Sequence, residues 1–93
     1  MKITPDIIRC EFVGTEVQVA RSSDHGNVGM SGKVVDESRN TFTVLCEGKR
    51  KTIVKDSSVF RFEFSDRTVV EIIGKLLVGR PEDRLKKTIK RLW

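Results

Sequence analysis

Between Thr15 and Ile73 the apolar positions recur every second residue. Val17 and Val19 alternate with Glu16, Gln18 and Arg21, and Phe42, Val44 and Cys46 alternate with Thr41, Thr43 and Leu45. In Val59-Phe60-Arg61-Phe62-Glu63-Phe64 three of the chain's five phenylalanines fall on one side. A period of two marks strands with one buried face, so that phenylalanine side is assigned to the core. Further strands are read over Met30–Asp36, over Lys51–Lys55 around Ile53, and over Val69–Ile73. Turn formers separate them: Ser22-Ser23-Asp24-His25-Gly26-Asn27, Ser38-Arg39-Asn40, Glu47-Gly48-Lys49-Arg50, Asp56-Ser57 and Ser65-Asp66-Arg67. Five to six short strands at a spacing of about ten residues predict a mainly β protein, a small antiparallel β-barrel. Gly29 and Gly32 mark either bulges or a sharp bend in the second strand.

Both ends switch to a helical pattern. Thr4-Pro5-Asp6 opens a short helix over 4–13, with Thr4 as cap, Pro5 at the first position and Gly14 as stop. Its apolar residues are Ile7, Ile8 and Phe12, and a helix of about two turns must dock on something to persist. Pro81 starts a second helix over 81–93. Glu82 and Asp83 complement its N-terminal dipole and Lys86 to Arg91 its C-terminal end. Leu85, Ile89, Leu92 and Trp93 form one apolar stripe, while Arg84, Lys87 and Arg91 lie on another side. The dock is the barrel (15–78) or a partner protein. With few partners for these stripes within the chain, both ends are expected to be mobile or crystal-packed in the isolated protein.

Ninety-three residues make one domain with a modest core. The net charge of +5 is unevenly placed: residues 1–74 hold eleven Lys/Arg and eleven Asp/Glu, so the whole excess lies in residues 75–93. Concentrated positive charge suits a polyanion partner, against the plainer reading of a solvated helix face. Cys10 and Cys46 are the only cysteines, in no metal-ligand spacing, and are expected to be buried apolar residues of a reduced, cytoplasmic protein. No signal peptide or membrane-length apolar run is seen, and no membrane partner is expected.

Catalytic chemistry finds little footing. His25, the one histidine, sits in a Gly/Asn/Ser loop, and its neighbour Asp24 would need a specific fold-back to orient it. Asp36 and Glu37 are adjacent on a strand and so point to opposite faces. No catalytic residue, metal ligand or bound cofactor is assigned. The binding candidates are Lys49, Arg50 and Lys51 beside Gly48, with Lys33, Arg39 and Lys55 flanking the same strands and Arg80, Arg84 and Lys87 in the tail. With no Tyr and the Phe residues facing inward, the pattern suits recognition of RNA backbone and shape rather than stacking on single-stranded bases.

The segment Gly29-x-x-Gly32-Lys33-Val34-Val35-Asp36-Glu37-Ser38-x-Asn40-Thr41, Lys55 ahead of Phe60-x-Phe62, Gly74-x-x-Leu77, and Arg80-Pro81-Glu82-Asp83-Arg84 together resemble archaeal ribonuclease P protein component 1. The resemblance spans nearly the whole chain; Ser38 stands where the family often has Thr. It implies an Sm-like (SH3-like) barrel in the ribonucleoprotein that removes the 5′ leader from precursor tRNA. There the RNA carries the chemistry with Mg2+, and the protein subunits support it. It also implies contact with ribonuclease P RNA, with precursor tRNA within the complex, and with other protein subunits, especially a zinc-ribbon one. The terminal residues Ile7, Ile8, Phe12, Leu85, Ile89, Leu92 and Trp93 would meet that subunit. The competing expectation is a protein-interaction barrel that docks a partner through its terminal helices. A continuous face of cations would favour RNA; scattered cations would favour docking. The basic helix could block the edge that Sm rings need, so a monomer is expected.

Overall fold

The protein is seen here as a computed structural model that describes residues 7–8 and 11–84. Six strands form one antiparallel sheet: β1 (Glu16–Ser22), β2 (Ser31–Glu37), β3 (Thr41–Cys46), β4 (Lys49–Val54), β5 (Ser58–Glu63) and β6 (Val69–Ile73). The order is β4-β3-β2-β1-β5-β6, which leaves β4 and β6 as edges. The sheet is nonetheless strongly curled. Phe42 on β3 and Phe60 on β5 lie three strand positions apart, about 14 Å in a flat sheet, yet their rings meet edge to face at 5.2 Å. Curling gathers Val17, Val19, Val34, Phe42, Val44, Ile53, Phe60, Phe62, Val70 and Ile72 into one core. The barrel expected from the strand pattern is thus present as a curled sheet whose edges are not zipped together.

At one end the edges still approach each other closely. Gly74, just after β6, lies so near the backbone after β4 that a Cβ there would sit 1.8 Å from the Lys55 carbonyl oxygen. Gly32 plays a similar part within β2, where a Cβ would meet the Leu45 carbonyl oxygen at 2.1 Å. The register shifts of the sheet lie elsewhere, between Val19 and Arg21 and between Val34 and Asp36. Gly32 therefore marks a close approach rather than a bulge.

The N-terminal segment departs from the two-turn helix expected over 4–13. Ile7 and Ile8 lie in a 3₁₀ turn, and residues 11–14 are not helical. Phe12 stacks on Phe62 with centroids 4.3 Å apart, Gly14 adopts φ +93°, and its N–H donates to the Val34 carbonyl at 2.7 Å. Ile7, Ile8 and Phe12 are all buried in the core. This corrects the expectation that they form an unpartnered stripe free to meet another subunit: they are part of the core, where the Phe12 ring also meets Phe42 and Phe64. Thr4, Pro5, Asp6 and Cys10 lie outside the described residues. Cys46, expected to be buried, is only half-buried at the end of β3.

The second helix begins at Pro81 as expected, with Pro81–Arg84 described as α1. Leu85, Lys87, Ile89, Leu92 and Trp93 lie outside the described residues. Among the described residues no helix is long and apolar enough to cross a membrane.

The β3–β4 hairpin turns on Glu47 and Gly48, both at positive φ (51° and 79°), so Lys49 and Arg50 belong to the strand and not to the turn. Two positive φ values in a two-residue loop suit Asn-Gly better than Glu-Gly. Glu47→Asn should therefore stabilise the protein by about 0.5–1 kcal/mol, read from the midpoint of urea unfolding.

Candidate nucleic-acid interface

The cations expected to contact RNA fall into three places. Lys33, Arg50, Lys49 and Lys51 gather near the tip of the β3–β4 hairpin. Lys33 pairs in register with Leu45, and Leu45 with Arg50, so Lys33 and Arg50 lie on the outer face with Leu45 between them, roughly two strand spacings (about 10 Å) apart. Lys49 and Lys51 pair with Cys46 and Val44 on the other side of β4. The four thus wrap around the β4 edge. All are exposed, and among the described residues none makes a side-chain hydrogen bond or ion pair. Lysines on an open strand edge also keep that edge from pairing with another chain.

Arg39 and Arg80 form a second place at the opposite end of the hairpin, about 15–20 Å away along the strands. Both are exposed. The Gly79 N–H donates to the Arg39 carbonyl at 2.6 Å, which brings the β2–β3 turn against the segment before α1.

The third place is internal and corrects the reading of two residues. Lys55 and Arg84 were expected on the binding surface, but both are fully buried, and a cation sealed in the protein cannot reach a phosphate at its surface. The Lys55 ammonium donates to Glu37 Oε2 at 2.6 Å and to the carbonyls of Ser38 (2.8 Å), Arg39 (3.3 Å) and Gly79 (3.0 Å). Arg84 pairs with the same carboxylate and donates to the carbonyls of Ile8 (2.7 Å), Leu77 (3.0 Å) and Gly79 (2.8 Å). Each cation also lies near an aromatic ring, Lys55 at 4.7 Å from the Phe42 centroid and Arg84 at 5.5 Å from that of Phe12. Glu37, with its side chain 2% exposed, is the shared carboxylate of this network. Buried charges persist only when paired and hydrogen-bonded, and the network ties together four chain segments: the N-terminal turn, the β2–β3 turn, the end of β4 and the start of α1.

Sequence reasoning missed Glu37. Asp36 and Glu37 do point to opposite faces, but the register shift at Val35 turns Glu37 inward, opposite Phe42. A signal for Lys55 was available: it has the same parity as the buried Ile53, which places it on the inner side.

The rest of the outer face is acidic or internally paired. Glu16 sits opposite both Lys33 and Glu63, and Arg61 donates to Glu71 at 3.0 Å. Among the described residues the candidate cations thus gather at the hairpin tip and at the Arg39–Arg80 end, while Arg21, Arg67 and Lys75 are exposed elsewhere, and together they do not form one continuous face.

Among the described residues nothing assembles a catalytic group. His25 is exposed in a 3₁₀ turn (His25–Asn27), and the Asp24 carboxylate accepts the Gly26 N–H at 3.0 Å instead of orienting the ring. No three His, Cys, Asp or Glu side chains converge among the described residues.

Known proteins match this arrangement along most of its length. The family model described as ribonuclease P/MRP, subunit p29, matches residues 5–87. A ribonuclease P protein component 1 of Methanococcus maripaludis is 45% identical over 98% of both chains. That of Methanocaldococcus jannaschii is 43% identical over 98% of this chain and 97% of its own. A solved structure described as Mth11, a homologue of human RNase P protein Rpp29, superposes with a TM-score of 0.61 at 42% identity, covering 81% of this chain and 97% of that one. With sequence, family model and fold in agreement over nearly the full length, this chain belongs to the ribonuclease P/MRP p29 family of ribonuclease P protein subunits.

Proposed function

We propose that the chain is an RNA-binding, non-catalytic subunit of ribonuclease P that supports the catalytic RNA in removing the 5′ leader of precursor tRNA. The observation that carries this reading is the set of four exposed cations around the hairpin edge (Lys33, Lys49, Arg50, Lys51), none of them paired among the described residues. They contrast with Arg61, whose charge is already met by Glu71. Cations that stay solvated until they meet a phosphate gain from counterion release at little desolvation cost. Lys33, Arg39, Lys49, Arg50, Lys51 and Arg80 are the described residues assigned to RNA, with Lys87 as a further candidate. They would screen phosphate repulsion, so that the RNA reaches its active fold at lower Mg2+. The Mg2+ belongs to the RNA, and the partners are ribonuclease P RNA, precursor tRNA in the assembled enzyme, and other protein subunits, including a zinc-ribbon one. The cytoplasm is where such a complex would work.

The cations fall in separate places, and scattered cations favour the docking alternative; against it stands the use of its N-terminal residues within the fold. Ile7, Ile8 and Phe12 are used inside the core, so a partner subunit would have to meet other surfaces, Leu85, Ile89, Leu92 and Trp93 among the candidates. The test is binding to a ribonuclease P RNA transcript as a function of salt. The triple variant K49A/R50A/K51A should lower the slope of log K against log[salt] by about 2–3, close to one unit per lost phosphate contact. An unchanged slope would remove the hairpin from the interface.

A further inference from the structure

We propose that Arg39 and Arg80 act together as a two-armed phosphate site preset by the buried Glu37–Lys55–Arg84 network. The inference rests on the RNA-binding reading and assigns one part of it to a defined pair of residues and to the residues that position them.

The two arginines lie 41 positions apart in the chain, and what joins them is backbone. Gly79 donates its N–H to the Arg39 carbonyl at 2.6 Å. The Lys55 ammonium then binds the Arg39 carbonyl and the Gly79 carbonyl together, at 3.3 and 3.0 Å. The Gly79 carbonyl also accepts from Arg84 at 2.8 Å. Gly79 itself takes φ +107°, a conformation that favours glycine. One buried ammonium and one buried guanidinium therefore fix the backbone on which both exposed side chains are mounted.

The side chains are left available. Among the described residues neither guanidinium makes a hydrogen bond or ion pair. The nearby carboxylate of Asp83 accepts the backbone N–H of Arg80 at 3.4 Å. A guanidinium presents a planar fork that matches a phosphate with two parallel hydrogen bonds. Two such forks on a pre-positioned backbone would bind neighbouring phosphates of one strand while ordering only their own side chains. Lys55 and Glu37 are then positioning residues: buried, unable to touch RNA, yet required for the pair to act as one site.

The test measures binding of an archaeal ribonuclease P RNA transcript by fluorescence anisotropy across a range of KCl concentrations. R39A/R80A removes only exposed side chains and should leave the fold intact; its slope of log K against log[salt] should fall by about 1.4–1.8, two phosphate contacts' worth. R39K/R80K should keep most of the slope but bind more weakly, because an ammonium lacks the fork. K55M, measured below its unfolding temperature and checked for folding by circular dichroism, should lose slope although both arginines remain. A wild-type slope in R39A/R80A would overturn the site while leaving RNA binding by the hairpin cations standing, and a wild-type slope in folded K55M would overturn the positioning role. Absence of salt-dependent binding by the wild-type chain would overturn the RNA-binding reading itself.

Discussion

Replacing Glu37 with alanine should cost about 3–5 kcal/mol of folding stability, the range found when one partner of a buried ion pair is removed. Its carboxylate is 2% exposed and is shared by Lys55 and Arg84, both fully buried. Losing it withdraws a negative charge from two cations that have no route to water. Exchange of an isolated buried ion pair for well-packed apolar residues is often neutral. Here that escape is closed, because the two cations also satisfy the carbonyls of Ile8, Ser38, Arg39, Leu77 and Gly79. A triple change to Leu, Met and Met would take the side-chain donors from these carbonyls, of which that of Arg39 keeps the Gly79 N–H, and should remain destabilised. The control is Glu71→Ala. It breaks the Arg61–Glu71 pair, whose side chains are 48% and 40% exposed, and should cost no more than about 1 kcal/mol. Urea unfolding of the two variants side by side decides the matter, and equal losses would mean that the network carries little of the fold.

Gly74→Ala should be nearly as damaging, at about 3 kcal/mol or more, which corresponds to a fall in Tm of roughly 12–24 °C for a domain of this size. The added methyl would sit 1.8 Å from the Lys55 carbonyl oxygen and 2.6 Å from that of Ser58. Both obstacles are backbone, so no side-chain rotation relieves the overlap. The end of β4 must move away from the end of β6, opening the curled sheet beside the buried network. Gly29→Ala serves as comparison. Gly29 has φ +83° and nothing within 4 Å of an added Cβ, so only conformational strain is at stake, about 1 kcal/mol. If scanning calorimetry shows the two alanine variants to be equally stable, the close approach at Gly74 does not constrain the sheet.

The sequence made the strands legible because their burial has a period of two that side chains obey even in a small sheet. Phe60 and Phe62 face the core as their alternation requires, and β3 and β6 start and stop where the pattern does. The bulges were not legible. Each inserts one residue, and a single insertion reverses every later side chain on that strand. At Val35 that reversal carries Glu37 inside and Asp36 out, which hid the centre of the buried network. Thr4-Pro5-Asp6 is a sound start signal for an N-terminal helix, but nothing local reports that Phe12 is needed against Phe62. Among the cations, the exposed ones were recognisable by type, but Lys55 and Arg84 differ from them only by where the fold places them. Arg84 in particular reads as a solvated helix residue until the network around Glu37 is seen.

The internal network and the exposed cations are two parts of one design. The first spends Lys55 and Arg84 on joining chain segments; the second leaves Lys33, Arg39, Lys49, Arg50, Lys51 and Arg80 free at the surface. Under the proposed function, the exposed set is where the chain would meet RNA. The most direct test is precursor-tRNA cleavage by a ribonuclease P RNA reconstituted with its other protein subunits at limiting Mg2+, with and without this chain. A clear gain in cleavage when the chain is added, with the chain alone inert on the same substrate, is the predicted result. Equal cleavage with and without it, under conditions where the other subunits are active, would contradict the account.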